Sequence, residues 1–128
     1  MIVGDFAATL GDQSRIALPK KIREQVLGTE LVLAKGFEGC IFGFQKSVWE
    51  EIAKQELLKP VSTEEGRRIR RQMFAAAEII AFDEQGRYVL PKTLKEYAHL
   101  TRDVVIIGAG DHFEIWDKTR WQEYVKTL

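Results

Sequence analysis

Cysteine is almost absent. Cys40 is the only one among 128 residues, so no disulfide can form within the chain, and a reducing cytoplasm fits best. Histidine is scarce too: His99 and His112 are the only two, and neither stands at metal-ligand spacing from Cys40. Ser-His-Asp, HExxH and nucleophile-elbow patterns are missing, and no Gly-rich fingerprint opens a nucleotide-binding helix. Neighbouring carboxylates such as Glu50 and Glu51 point apart on a helix. The expectation is a non-enzyme that needs no metal or cofactor. No apolar run approaches the roughly 20 residues that span a bilayer. The start of the chain lacks the basic-then-apolar profile of a signal peptide. No membrane partner is expected.

Net charge is missing as well, with 19 basic residues against 19 acidic. A zero sum weighs against nucleic-acid binding, which usually shows a basic excess. The charges are unevenly placed, however. Lys20, Lys21 and Arg23 cluster near the start, and Arg67, Arg68, Arg70 and Arg71 in the middle. Hydrophobic residues make up 45% of the chain and charged residues 30%, an ordinary globular mix for one domain or two fused halves.

What the chain does have is a duplication. Shifted by 72 residues, Leu10–Ile52 aligns with Phe82–Tyr124 without a gap and gives 12 identities in 43 positions. Average residue usage would give roughly three. Gln13 meets Gln85, Arg15 meets Arg87, Leu18-Pro19-Lys20 meets Leu90-Pro91-Lys92, and Trp49 meets Trp121. The copies occupy residues 1–59 and 74–128, and a basic helix within 60–73 links them.

Each copy has the same pattern. Asp5–Leu10 and Ala77–Phe82 suit a strand, followed by a polar turn and a second short strand at Arg15–Leu18 and Arg87–Leu90. Pro19 and Pro91 open short helices over Lys21–Leu27 and Thr93–His99. Leu31–Ala34 and Val104–Ile107 are buried strands, then turns at Gly36–Gly39 and Gly108–Gly110, then strands at Cys40–Phe44 and His112–Trp116. Cys40 is expected to face the core. A closing helix follows, with Ser47 and Thr119 as N-caps and Glu50 and Gln122 as capping-box partners. Ser62 with Glu65 predicts a third capping box, at the start of the linking helix. A unit of about 50 residues is marginal alone. Two such units can interlock their hairpins into one closed sheet with pseudo-two-fold symmetry, which removes exposed edges. The predicted class is α+β.

Asp83-Glu84-Gln85-Gly86-Arg87, followed by Tyr88-Val89-Leu90-Pro91, resembles the Asp-x-x-x-Arg signature of MraZ proteins. The resemblance extends over essentially the whole chain, including Gly4 and Trp116-Asp117. It implies an AbrB-like swapped-hairpin barrel. It also implies a cytoplasmic, nucleoid-associated bacterial regulator, a probable repressor of the division and cell-wall gene cluster. Its implied partners are double-stranded promoter DNA carrying repeated boxes and further copies of itself in a homo-oligomeric ring, an octamer or dodecamer. DNA contact passes by resemblance to Arg15 and Arg87, and the Asp role to Asp83. The first copy departs from the signature: Gly11 stands in place of Asp and Ser14 in place of Gly, with Asp12 one position late.

The residues themselves are compatible with that role. A two-stranded ribbon fits the major groove. Gly86 permits a tight turn with positive φ, and Asp83 can fix the turn through its amides. Arg15 and Arg87 then offer guanidinium groups to guanine or phosphate. Gln13 and Gln85 are candidates for base edges, Ser14 and Gly86 shape the tips, and Lys20 and Lys92 are candidates for phosphate. Other readings stay open. The arginines would also serve to brace the barrel against acids, and Arg67–Arg71 reads as a solvated helix face or as a partner for Glu50 and Glu51 of a neighbouring subunit. The tryptophans read as packing. A ring-forming scaffold without DNA binding and an AbrB-like antitoxin are the alternative functions.

Overall fold

In the computed structural model, which describes residues 1–128, each half of the chain folds into the same series of elements. The first half gives β1 (Asp5–Thr9), β2 (Arg15–Ala17), α1 (Lys20–Arg23), β3 (Glu30–Lys35), β4 (Ile41–Gln45) and α2 (Lys46–Glu56). The basic helix α3 (Glu64–Phe74) follows. The second half gives β5 (Glu78–Ala81), β6 (Arg87–Val89), α4 (Lys92–Tyr97), β7 (Asp103–Gly108), β8 (Phe113–Asp117) and α5 (Lys118–Val125). The chain is an α+β protein.

The hairpins are swapped between halves. Six strands form one antiparallel sheet in the order β1-β7-β8-β4-β3-β5, so each half's first strand adds to the other half's sheet. The remaining strands, β2 and β6, pair as a separate ribbon. Exchanging the halves reproduces the strand order. The pseudo-two-fold axis passes where residues pair with their own equivalents, at Phe42 opposite Glu114 and at Ile16 opposite Tyr88. Closure of the barrel is therefore not one continuous ladder. Backbone bonds at the hairpins join sheet to ribbon: Gly11 N–H to the Arg15 carbonyl at 2.8 Å, and Asp83 N–H to the Arg87 carbonyl at 3.0 Å.

Strand alternation sorts the side chains into two layers. Leu31, Leu33, Ile41, Val104, Ile106, Phe113 and Ile115 point to the barrel interior. There they meet Ile16, Leu18, Tyr88 and Leu90 of the ribbon segments, with Ile22 and Leu94 from the short helices. Val32, Phe44, Val105 and Trp116 are buried on the opposite face, beneath α2, α3 and α5. Trp49 packs on Phe44 at 5.4 Å and on Phe74 at 5.7 Å, while Trp121 and Tyr124 cover Trp116 at 5.2 and 5.0 Å. The tryptophans are packing residues, Trp49 and Trp121 on the apolar faces of α2 and α5 and Trp116 on β8.

The helix starts differ from the sequence-based expectation. α2 begins at Lys46 directly after Gln45, with no side-chain cap, so Ser47 lies inside the helix. Asp117 caps α5 in place of Thr119 by accepting from the Arg120 amide at 3.2 Å. Thr63 caps α3 in place of Ser62 by accepting from the Gly66 amide at 3.0 Å. In α2 and α5 the strand runs into the helix without a turn, so the cap falls on the last strand residue. The helix α1 is also shorter than its apolar pattern predicted and ends at Arg23. Cys40 is buried just before β4 and donates to the Phe37 carbonyl at 3.3 Å. Burial above all pushes its thiol far up, which leaves it unreactive.

Candidate nucleic-acid interface

The ribbon β2–β6 has two faces of opposite character. Ile16 and Tyr88 point inward and are buried. Alternation therefore turns Arg15, Ala17, Arg87 and Val89 outward, and all four are exposed. Arg15 lies opposite Val89 and Arg87 opposite Ala17, so the arginines occupy two-fold related places on one surface. Together with Asp83 they line the same shallow depression. Neither guanidinium is buried in the core, although Arg87 pairs with Asp83.

The second tip is held by Asp83. Its Oδ1 accepts from the amides of Gln85 and Arg87, both at 2.9 Å, and its Oδ2 accepts from Arg87 Nε at 3.0 Å. The Arg87 amide is the main cause that holds the Asp83 carboxyl below its ordinary value, ahead of the guanidinium. Gly86 adopts φ +77°, donates to the Asp83 carbonyl at 2.8 Å and accepts from the Leu18 amide at 2.8 Å. Asp83 engages only Nε, and the two terminal nitrogens of Arg87 make no hydrogen bond within the chain. The Arg87 side chain is 55% exposed.

The first tip lacks this support. Asp12, Gln13 and Ser14 form a 3-10 turn, and both Gln13 (φ 59°) and Ser14 (φ 60°) sit in the left-handed region, at roughly 1–2 kcal/mol each. Gly11 offers no carboxylate. Arg15 enters no ion pair with Asp12 or any other acid. Arg15 is exposed and unpaired.

The remaining candidates fall around the two tips. Gln13 and Gln85 are exposed at the apices. Lys20 and Lys92 are exposed at the first residues of α1 and α4. Each follows a segment bonded to the opposite tip, through Leu18 N–H to the Gly86 carbonyl and Leu90 N–H to the Ser14 carbonyl. Lys92 Nζ also lies 3.9 Å from Glu96. In the linking segment, Arg67 donates to the Val61 and Ser62 carbonyls and Arg70 to those of Leu57 and Lys59. Two of the four arginines there fasten the linker, while Arg68 and Arg71 are exposed.

Two residues outside the sequence-based candidates touch the tips. Arg23 Nη1 donates to the Glu84 carbonyl at 3.0 Å, and Lys95 Nζ donates to Ser14 Oγ at 3.2 Å. Positions 23 and 95 are equivalent in the 72-residue register and both are basic. That signal was present in the sequence but points to no partner without the fold.

Comparison with known proteins gives this arrangement a family. A family model described as "MraZ protein, putative antitoxin-like" matches residues 1–72 and again 73–128. The chain belongs to the MraZ family. A transcriptional regulator MraZ of Roseiflexus sp. (strain RS-1) is 38% identical over 128 residues, covering 100% of this chain and 89% of that protein. Another, of Oenococcus oeni, is 40% identical over 124 residues, with 97% and 86% coverage. The Moorella thermoacetica relative of the same name is 34% identical over 126 residues. The double match and the swapped strand pairing agree with a duplicated, swapped-hairpin MraZ fold. No helix is long and apolar enough to cross a membrane.

Proposed function

We propose that this chain is a sequence-specific transcriptional regulator, a repressor, that binds promoter DNA through the outer face of ribbon β2–β6. The observation that carries the reading is the pair of arginines on one exposed, two-fold related surface, with Arg87 held as an open fork by Asp83. A two-stranded ribbon is narrow enough for the major groove, and a guanidinium fork matches guanine O6 and N7. Asp83 and Gly86 set the second tip, and Ser14 shapes the first. Gln13 and Gln85 face bases, while Lys20 and Lys92 face phosphates. The names of the relatives, transcriptional regulator MraZ, support regulation. The working unit is the pair of repeats, 1–59 and 74–128, joined by 60–73. No cofactor or catalytic step is needed.

One chain offers few contacts, and its net charge is zero. Linked copies raise avidity by roughly 10²–10⁴ without any new contact. A homo-oligomeric ring, an octamer or dodecamer, presenting several ribbons to repeated promoter boxes of the division and cell-wall genes would supply that gain. Such a protein works in the cytoplasm, at the nucleoid.

The test is a titration of repeat-containing promoter duplex across salt, with the parent and the Arg15→Ala/Arg87→Ala variant. A specific complex with a steep salt slope that the double substitution abolishes supports regulation. Equal weak binding by both proteins, or none, leaves a ring-forming scaffold as the function.

A further inference from the structure

Each tip is gripped by a basic side chain from the opposite repeat. Arg23 leaves α1 of the first repeat and crosses the second tip. Its guanidinium donates to the Glu84 carbonyl, and its stem lies flat on Gly86. A Cβ at Gly86 would stand 2.5 Å from Arg23 Cδ and 2.7 Å from Nε. Arg23 Nε is itself buried there without a partner. The two-fold image of this contact is Lys95 of α4 on Ser14 of the first tip. Both members of the pair differ between the repeats, and they differ together. The broad arginine covers a bare glycine. The slimmer lysine leaves room for a serine side chain and bonds to its hydroxyl.

We infer that Arg23 and Lys95 are positioning residues, each setting the conformation of the DNA-facing tip carried by the other repeat. The inference rests on the DNA-binding reading for its purpose, but not for its geometry. Gly86 is thereby required for its positive φ and for the space shared by the Arg23 stem and the Leu18 carbonyl, which would stand 2.8 Å from a Cβ. The tip shapes are matched pairs, Arg23 with Gly86 and Lys95 with Ser14. Changing one member without the other should loosen a tip that lies 61 or 81 residues away along the chain.

Amide hydrogen exchange of the full-length protein, read residue by residue, tests this without DNA. In Arg23→Ala the Gly86 and Arg87 amides should exchange about tenfold faster or more, as expected for one lost charge-assisted hydrogen bond. The core amide of Ile106 should keep its parental rate, which shows that the variant is folded. Lys95→Arg alone should speed exchange at Arg15, and Ser14→Gly added to it should restore protection. Parental rates at Gly86 and Arg87 in Arg23→Ala would overturn the proposal. So would simple additivity of the Ser14 and Lys95 changes.

A DNA titration then separates positioning from direct contact. A positioning role predicts weaker binding by Arg23→Ala with the parental salt slope. A slope smaller in magnitude by about 0.9, the mark of one lost phosphate contact, together with unchanged exchange would make Arg23 a DNA ligand and overturn the proposal. If the parent itself forms no complex at any salt, the DNA-binding reading fails, and the exchange rates still decide whether the two residues set the tips.

Discussion

The two arginines occupy equivalent places but are not equally prepared, and that difference has a measurable consequence. Arg87 is held by Asp83 through Nε at 3.0 Å, so its guanidinium is already oriented in the free protein. Arg15 has no acid to hold it and, on the proposed reading, would be ordered only on binding DNA. Fixing a side chain with many rotamers costs about 0.5–1.5 kcal/mol. If both guanidiniums make one bidentate contact, Arg87→Ala should weaken binding more than Arg15→Ala. The gap in Kd is about 2- to 13-fold, the ordering cost converted to affinity. Arg87→Ala also leaves the Asp83 carboxylate facing phosphates, which pushes in the same direction. Asp83→Asn keeps the oxygen that accepts from the Gln85 and Arg87 amides while removing that charge. The Arg87→Ala/Asp83→Asn variant therefore isolates the loss of the guanidinium. Fluorescence anisotropy with a labelled promoter duplex at fixed salt reads all four proteins. Equal losses from the two single substitutions, or a larger loss from Arg15→Ala, would refute the preorganisation argument.

Three further outcomes follow from the interior. Tyr88 is 4% exposed and its hydroxyl has no partner, so Tyr88→Phe should stabilise the fold by about 1 kcal/mol, the cost of an unsatisfied buried hydroxyl. In a thermal melt that is roughly 4 °C, and a lower midpoint would show that the hydroxyl is bonded. Gly43 faces Phe113 across the centre of the sheet, where a Cβ would run into the ring of Phe113. Gly43→Ala should therefore cost about 1–3 kcal/mol by overpacking, seen as an earlier denaturant midpoint; an unchanged midpoint would mean that the ring moves aside. His112 sits between Asp111 Oδ1 at 2.7 Å and Glu114 Oε2 at 2.9 Å. Burial works against the imidazolium, but the bonds and charges of Glu114 and Asp111 together outweigh it and raise His112 above its ordinary 6.5. Its stabilising contribution is complete below 6.5 and is lost as pH rises through the higher folded value. The melting temperature should thus fall over that interval in the parent and stay flatter in His112→Gln, whereas parallel pH profiles would exclude the effect.

How much of this was legible in the sequence depended on whether the signal was local or repeated. The 72-residue register located both strand-turn-strand tips, but which side chains of Arg15–Leu18 and Arg87–Leu90 face inward came only from the structure, which buries Ile16 and Tyr88 and exposes the arginines. Fold class and family were open to the same reading. The starts of α2 and α5 were misplaced because the last strand residue is also the cap position, while at α3 the neighbouring Ser62 and Thr63 offered two candidate caps. Where Gln45 and Asp117 end one element and open the next, there is no turn for a cap signal to mark. The grip of Arg23 and Lys95 on the tips was invisible for a different reason. A contact across 61 or 81 residues leaves no periodicity, and only the swapped pairing of β2 with β6 brings helix and tip together.

Fusing the two repeats has a physical consequence that a pair of identical chains would not share. In a symmetric dimer both tips must carry the same residues, so a change that suits one is imposed on the other. Here each tip and its grip lie at four separate positions of one chain, 14 with 95 and 86 with 23, and the two pairs differ, Ser14 with Lys95 and Gly86 with Arg23. The sheet keeps its two-fold symmetry because its core does not depend on the tips. The ribbon surface loses that symmetry, with a carboxylate-anchored arginine at one end and an unpaired one at the other. If the ribbon binds DNA as proposed, two like half-sites would not contribute equally, and the chain would take a preferred direction on a duplex, set by Arg87 anchored on Asp83 at one end and the unpaired Arg15 at the other.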